Sequence, residues 1–516
     1  MSGRLNSQVD IVNSIVSRDG DFKRTPPRPT ELQEADYMGK FDADTILYDA
    51  YRTDTHIRLT CPPLLNLEDE VISELARAVG PTHDVLVSNL DRVSHIDISD
   101  PTKTIDQVQV SFGTKEYLLS VTPSRLEDYS NKTVLLSKSK NNDLQWLSDW
   151  AKYYATQHHV DAILLYDNGS TEYTAEQARQ AITVEGIEVA TVVSWPFRFG
   201  PQGGKWSGST KRPWDSDFCE YGIIEHARHK YLGKSSVLIS HDIDELLVVE
   251  DNNPILEHLK TCKADYLQYS GIWIEDIRDN KSEPPRFQDY QYANSKGTPT
   301  TTKWLAHPQK IQTAKQWKTH SVNGAQAETN PFLKHRHFKG ITTNWKWDRS
   351  ESRDHPKAGE IVDYALRSNL ENAFQLASIS APPGAAYTKE DALLRHAYLE
   401  DVRREMNPYR WTKRGMNRLW YWKSNVLVVD FDQGGAGYRH AFELRILGDR
   451  TILIATGRDE KSIARLKGHL PSTSSVFNDS DRHWELDWWR LFVAPKDVAM
   501  DCVQFVSGLL PHLERR

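Results

Sequence analysis

Residues 134–171 read VLLSKSKNNDLQWLSDWAKYYATQHHVDAILLYDNGST. This stretch decides the fold. An apolar run at 134–136 predicts a strand. Leu144, Leu147, Trp150, Ala151 and Tyr154 then fall on one face of a helix. DAILLYD predicts a second strand, stopped by Asn168-Gly169. Downstream the alternation continues. TEYTAEQARQAI predicts a helix opened by a capping box from Thr174 to Gln177. EVATVVSW predicts a strand, 196–214 a Gly/Pro-rich loop, SDFCEYGIIEHARHKYL a helix and SSVLIS a strand. Strands alternating with helices imply right-handed crossovers and a doubly wound, mostly parallel α/β sheet. Such sheets bind ligands outside the carboxyl ends of their strands. YDNGS and HDIDE both stand at such ends.

Outward from this core, five regions are expected. Residues 1–40 are polar and contain RTPPRP, predicting a flexible arm. DVLVSNL, QVQVSF and EYLLSVT predict a β-rich lead-in domain over 41–128. Residues 129–350 hold the alternating α/β domain. Residues 351–424 predict a helical segment (EIVDYALRSNLENAFQLAS, KEDALLRHAYLEDVRREM). Residues 425–516 predict an α+β accessory domain with strands NVLVVDF, RHAFELRIL and RTILIAT.

The chain has 516 residues and a net charge of -7, which gives no reason to expect a nucleic-acid partner. The four cysteines, Cys61, Cys219, Cys262 and Cys502, form no CxxC pair, so no zinc knuckle or disulfide framework is expected. No apolar leader opens the sequence and no apolar run reaches the roughly 20 residues of a membrane span. A soluble, cytoplasmic protein is expected. The sequence says nothing of oligomeric state.

SSVLISHDIDELLVVED, residues 235–251, carries the chemistry. Asp242 and Asp244 are i and i+2, and Glu245 follows. Like charges this close need solvent or a cation. A turn at a strand end can aim both aspartates at one point. Mg²⁺ or Mn²⁺ would accept them and leave its other sites to water and phosphate oxygens. A solvated acidic turn or a helix N-cap is the alternative.

In order, LYDNGST, HDIDEL, TKWLAHPQKI, KTHSV and HFKGITTNWKWDR resemble glycosyltransferases of the GT-A fold. They are most similar to family 92 and to bacterial family 2-like members with a DxD motif, over roughly residues 130–350. The resemblance implies a nucleotide-sugar donor, usually a UDP-sugar, and Mn²⁺ or Mg²⁺ as cofactor. A glycan or glycoconjugate would be the acceptor, as in polysaccharide biosynthesis. It places Asp167 and its neighbour Asn168 near the base and ribose. Asp242 and Asp244 would hold metal and donor.

HFKGITTNWK, from His337 to Lys346, resembles the HxxGxxKPW segment of related enzymes, without its Pro and with different spacing. That implies His337 as a metal ligand, with Gly340 and Lys346 against the diphosphate; a neutral imidazole suits a mixed oxygen–nitrogen shell. His320 is the rival ligand, and Arg349 is a candidate phosphate partner. An inverting transfer needs a general base. GIWIEDIRD supplies Glu275 and Asp276, while a retaining transfer would need neither. The loop at 196–214 adds Arg198, Lys205, Lys211 and Arg212 with Trp206 and Trp214, as a cover for diphosphate, a glycan site or a plain surface loop.

A second acidic pair, Asp430 and Asp432 in VVDFDQGGAG, resembles the haloacid-dehalogenase phosphatases, but Gly434 stands where a Thr or Val is expected. A phosphohydrolase, or a bifunctional chain, is therefore the alternative function. A non-catalytic glycan-binding protein on a glycosyltransferase fold is a third.

Overall fold

The computed structural model describes residues 7–18, 20, 22–202, 206, 214–251, 253–278, 284–294, 299–343, 352–357 and 360–375, and beyond these only strands between 420 and 487. The chain divides into two compact units. The first holds residues 1–356 and 360–378, the second 357–359 and 379–516.

The first unit is mixed α/β around a twelve-stranded sheet. Its elements, in chain order, are β1 (Gln8–Ile11), β2 (Thr133–Ser139), α1 (Leu144–His158), β3 (Ala162–Asp167), α2 (Ala175–Ile182), β4 (Val189–Ser194), α3 (Phe218–Ala227), β5 (Val237–Ser240), β6 (Glu245–Val249), β7 (Tyr266–Ile274), β8 (Thr300–Ala306) and β9 (Leu333–Phe338). The strands β1, β4, β3, β2 and β5 lie side by side and all parallel. From β5 onward the sheet turns mixed: β5 pairs antiparallel with β8, and β8 with β7. Then β7 pairs parallel with β9, and β9 antiparallel with β6.

The continuous apolar run of β3 follows from burial on both faces. Ile163 and Leu165 pack with Leu147, Trp150 and Tyr154 of α1. Ala162, Leu164 and Tyr166 pack on the opposite side with Ile223 and Ala227 of α3. The start of α1 is fixed by Asp143, which accepts a bond from Gln145 N–H. The start of α2 is fixed by the Thr174–Gln177 capping box.

Chain order against spatial order locates the crevice. From β2 the chain steps outward through β3 and β4, then returns to place β5 on the other side of β2. Where that order reverses, the loops after β2 and β5 part and leave room for a ligand. Lys138 stands at the end of β2, and Asp242 two residues beyond β5.

The described residues among the first 40 depart from the loose arm expected of them. β1 extends the sheet as an edge strand parallel to β4. Arg24 is buried and donates to the carbonyls of Pro63, Asp42 and Thr45 at 2.6, 2.6 and 2.7 Å. Arg28 is buried against Asp215 at 2.7 Å. Composition alone missed these anchors because each depends on a partner distant in sequence. Within 41–128, an antiparallel sheet runs Asp49–Arg52, His56–Cys61, Ser94–Ser99, Val85–Asn89, with helix Glu68–Val79 packed on its core.

Residues 360–362, expected to open a helix, instead pair as a strand with Tyr292–Asn294. The helix begins only at Tyr364, because Asp363 accepts from Leu366 N–H and caps it. Trp420–Lys423, expected at the end of a helical segment, is also a strand. The predicted helix over KEDALLRHAYLEDVRREM lies outside the described residues.

The second unit carries a six-stranded sheet whose pairings are all antiparallel. Val426–Asp432 lies between Trp420–Lys423 and Tyr438–Leu447. A haloacid-dehalogenase nucleophile needs a parallel strand feeding a crossover helix, and an antiparallel hairpin at Asp430 and Asp432 does not provide one.

Candidate functional site

The turn from β5 to β6 closes on itself. Glu245 N–H donates to the Asp242 carbonyl, and Asp242 N–H donates to Glu245 Oε2, both at 3.1 Å. Ile243, between the two aspartates, is buried and anchors the turn. Asp242 and Asp244 therefore take different partners.

Asp242 meets two ammonium groups. Lys138 Nζ donates to Oδ1 at 2.7 Å, and Lys303 Nζ, from β8, donates to Oδ2 at 2.6 Å. Lys303 also stands 2.9 Å from Glu245 Oε2, and Lys138 2.6 Å from Glu220. Burial alone would raise the Asp242 carboxyl; the two lysines outweigh it and hold it well below the usual carboxylate range. Burial would lower the Lys303 ammonium, but Asp242 and Glu245 outweigh that and raise it. A small cavity opens here, lined among others by Lys138, Glu220, His241, Asp242, Lys303 and Thr319.

Asp244 meets a histidine. His337, opposite Glu245 across the β6–β9 pair, has Nε2 3.1 Å from Asp244 Oδ2 and Nδ1 3.4 Å from Glu245 Oε1. His335, two residues earlier, shares its face of the strand. Its Nε2 lies 3.6 Å from Glu245 Oε1 and 2.6 Å from Thr300 Oγ1. Burial pushes the His335 imidazole down to about 4. Trp273, beside His337 on β7, stacks on its ring with centroids 4.2 Å apart. Beneath the turn, His241 is buried between Tyr154 and Tyr269, 2.7 Å from each hydroxyl.

Charge decides what this place can hold. Asp242, Asp244, Glu245 and Glu220 set four carboxylates against the ammonium groups of Lys138 and Lys303. With neutral imidazoles, these groups, taken among the described residues, carry two more negative than positive charges. A divalent cation fits that excess and the mixed oxygen–nitrogen donors.

The other residues singled out from sequence take a range of places. Asp167 ends β3 and accepts from Ser170 N–H and Oγ, closing its own turn. Asn168 Nδ2 donates to the carbonyls of Trp195 and Phe197 at 2.9 and 2.8 Å. Glu275 is buried, and Lys339 Nζ lies 2.7 Å from each of its oxygens. Asp276 follows it, half-buried. Gly340 gives room to Tyr290, whose Oη would lie 2.2 Å from any Cβ there. His320 Nδ1 bonds the Thr302 carbonyl at 2.8 Å, apart from the Glu245–His335–His337 group. Arg198 pairs with Asp44 at 3.1 Å. Lys346, Arg349, Lys205, Lys211 and Arg212 lie outside the described residues.

Sequence reasoning passed over Lys138, Lys303 and His335. Lys138 and Lys303 each interrupt an apolar strand with a charge. His335 and His337, as H-x-H on a strand, share a face by the two-residue period. Those were the available signals.

No family model matches the chain, and no curated protein matches it. Among solved structures it is similar to S. aureus TarS, at 10% identity and a TM-score of 0.24, over 69% of this chain and 72% of that one. It is also similar to S. aureus TarS 1-349, at 9% identity and a TM-score of 0.24, over 60% of this chain and 98% of that one. A likeness at that TM-score establishes neither fold nor function.

Among the described residues no helix is long and apolar enough to cross a membrane.

Proposed function

We propose that this chain is a metal-dependent glycosyltransferase with a GT-A-like core. It would move a sugar from a nucleotide-sugar donor, a UDP-sugar by resemblance, to a glycan or glycoconjugate acceptor. One observation carries the reading. At the reversal of strand order, Lys138 from β2 and Lys303 from β8 converge on Asp242 after β5, beside the carboxylate–imidazole group of Asp244, Glu245 and His337. Fixed cations and a divalent-ion site at a crevice suit a departing diphosphate, whose charge grows as the glycosidic bond breaks.

Each residue has a task in this scheme. Glu245 and His337 would hold a divalent cation, which when bound would supply Lewis-acid chemistry toward the diphosphate. Lys138 and Lys303 orient donor phosphates by exchanging part of their bond to Asp242. For an inverting transfer, Asp276 takes the general-base role. Glu275 is the other candidate, with Lys339 Nζ 2.7 Å from each of its oxygens.

The test is a thermal-shift and turnover panel of nucleotide sugars, with and without Mn²⁺. A ligand that binds only the native state raises its melting temperature by mass action. Stabilisation by one donor, with its slow hydrolysis, is expected. A glycan-binding protein would respond to glycans and to no nucleotide, and that outcome would remove the proposal. Phosphate release from phosphomonoesters, lost in Asp430→Asn, would favour the phosphohydrolase instead.

A further inference from the structure

The geometry points to a nitrogen-rich divalent-metal site made by Glu245, His335 and His337, with Asp244 orienting His337 and Asp242 outside the coordination shell. It shares its place with the proposed transferase site, and depends on that reading only for how the ion is used, not for its binding.

The division of labour within Glu245 is the first argument. Its Oε2 accepts from Asp242 N–H at 3.1 Å and from Lys303 at 2.9 Å. Its Oε1 instead faces two imidazole nitrogens, His337 Nδ1 at 3.4 Å and His335 Nε2 at 3.6 Å. Those separations are too long for hydrogen bonds of ordinary strength. They match a shared ion: ligand atoms around a tetrahedral centre with bonds of about 2.1 Å stand roughly 3.4 Å apart.

The second argument is the tautomer. His337 Nε2 lies 3.1 Å from Asp244 Oδ2, so Nε2–H donates there and the lone pair of a neutral ring sits on Nδ1, toward Glu245. Carboxylate, imidazole and metal in a row is the usual way a ligating histidine is oriented. The third is the room made for His335. It is fully buried, and Gly271 opposite it is bare of the Cβ that would lie 2.5 Å from its ring. Thr300 Oγ1, 2.6 Å from His335 Nε2, must turn its hydroxyl aside when the ion enters. Asp242 does not compete, because a lysine holds each of its oxygens.

A second group, His95, Glu225 and His229, is equally close-set and serves as a contrast. There Arg58 Nη1 lies 2.8 Å from His229 Nδ1. Arginine only donates, so that nitrogen must accept, and Nε2 keeps its proton for Glu225. A metal on Nε2 would drive the proton against Arg58. The group is a hydrogen-bonded network.

One carboxylate with two imidazoles favours Zn²⁺ or Co²⁺, and after them Mn²⁺, over Mg²⁺ or Ca²⁺, which demand oxygen. The test uses the full chain stripped of metal and titrated with MnCl₂ and ZnCl₂, without nucleotide. One ion bound per chain, not displaced by excess Mg²⁺, is expected. X-ray absorption on the loaded protein should count two imidazoles. His337→Ala should weaken Mn²⁺ binding at least about 10-fold, while Asp242→Asn, which removes a nearby charge but no ligand, weakens it far less. No ion bound at millimolar Mn²⁺, a single imidazole, or equal losses in the two variants would overturn the assignment. His335→Ala tests the third ligand directly. If it does not fold, the imidazole count on the parent chain decides. A chain that binds the ion but answers no nucleotide sugar would sink the transferase and leave this site standing.

Discussion

Lys303 Nζ lies 2.6 Å from Asp242 Oδ2, although 61 residues separate them. The lysine side chain is 3% exposed, and the same ammonium reaches Glu245, which is 2% exposed. One buried cation thus holds the two ends of the β5–β6 turn.

Replacing Lys303 with Met should leave Glu245 buried without its counter-charge. Loss of one partner from a buried pair costs about 3–5 kcal/mol. Urea unfolding followed by tryptophan fluorescence should show a lower midpoint at unchanged slope. A variant as stable as the parent would mean that Glu245 is neutral or solvated.

Gly271→Ala should be among the most damaging small substitutions. Its Cβ would lie 2.4 Å from the His335 carbonyl and 2.5 Å from the ring. The two strands cannot separate without breaking the β7–β9 pairing. Overpacking of this kind costs roughly 1–3 kcal/mol, and more where backbone is struck. A thermal midpoint equal to the parent's would refute the close packing.

Stability should fall as the pH drops below neutral. Burial pushes His158 and His226 down to about 4 each, against about 6.5 in an unfolded chain. Between those values the unfolded chain binds more protons, so stability rises with pH through this window and is lost as acid is added. Each ring should contribute on the order of 1–2 kcal/mol of loss between pH 7 and pH 5. Urea midpoints at pH 7, 6 and 5 measure the slope. His158→Gln should flatten part of it, since an amide can still reach the Leu247 carbonyl that the ring bonds but takes up no proton.

Lys138→Met and Asp276→Asn should separate binding from chemistry. The first should raise KM for the donor, with a loss of roughly 10²-fold in kcat/KM for a preorganised cation. The second should lower kcat about 10²-fold or more and leave KM nearly unchanged, as loss of a general base does. Equal, small effects in both would place the reacting centre elsewhere.

The helix faces, capping box and apolar runs between 134 and 240 are local, so the sequence alone determined the alternation of strand and helix. Asp242, Asp244 and His337 stood out because a strand end and a motif marked them, but the two aspartates, expected to share one ion, face different partners. The lysines were not. Lys138 and Lys303 look like ordinary strand residues until β2, β5 and β8 lie side by side. Likewise β1 reads as tail until β4 offers it a free edge.

Tertiary structure alone decided partner choice. Sequence spacing sets which residues share a face, but a carboxylate binds whichever cation the fold brings within about 3 Å. Pairing of β6 with β9 carried His335 and His337 to Glu245, and pairing of β5 with β8 carried Lys303 to Asp242. Neighbouring acids at 242 and 244 were thereby sent to different partners, because strand pairing, not sequence distance, controls where charges meet.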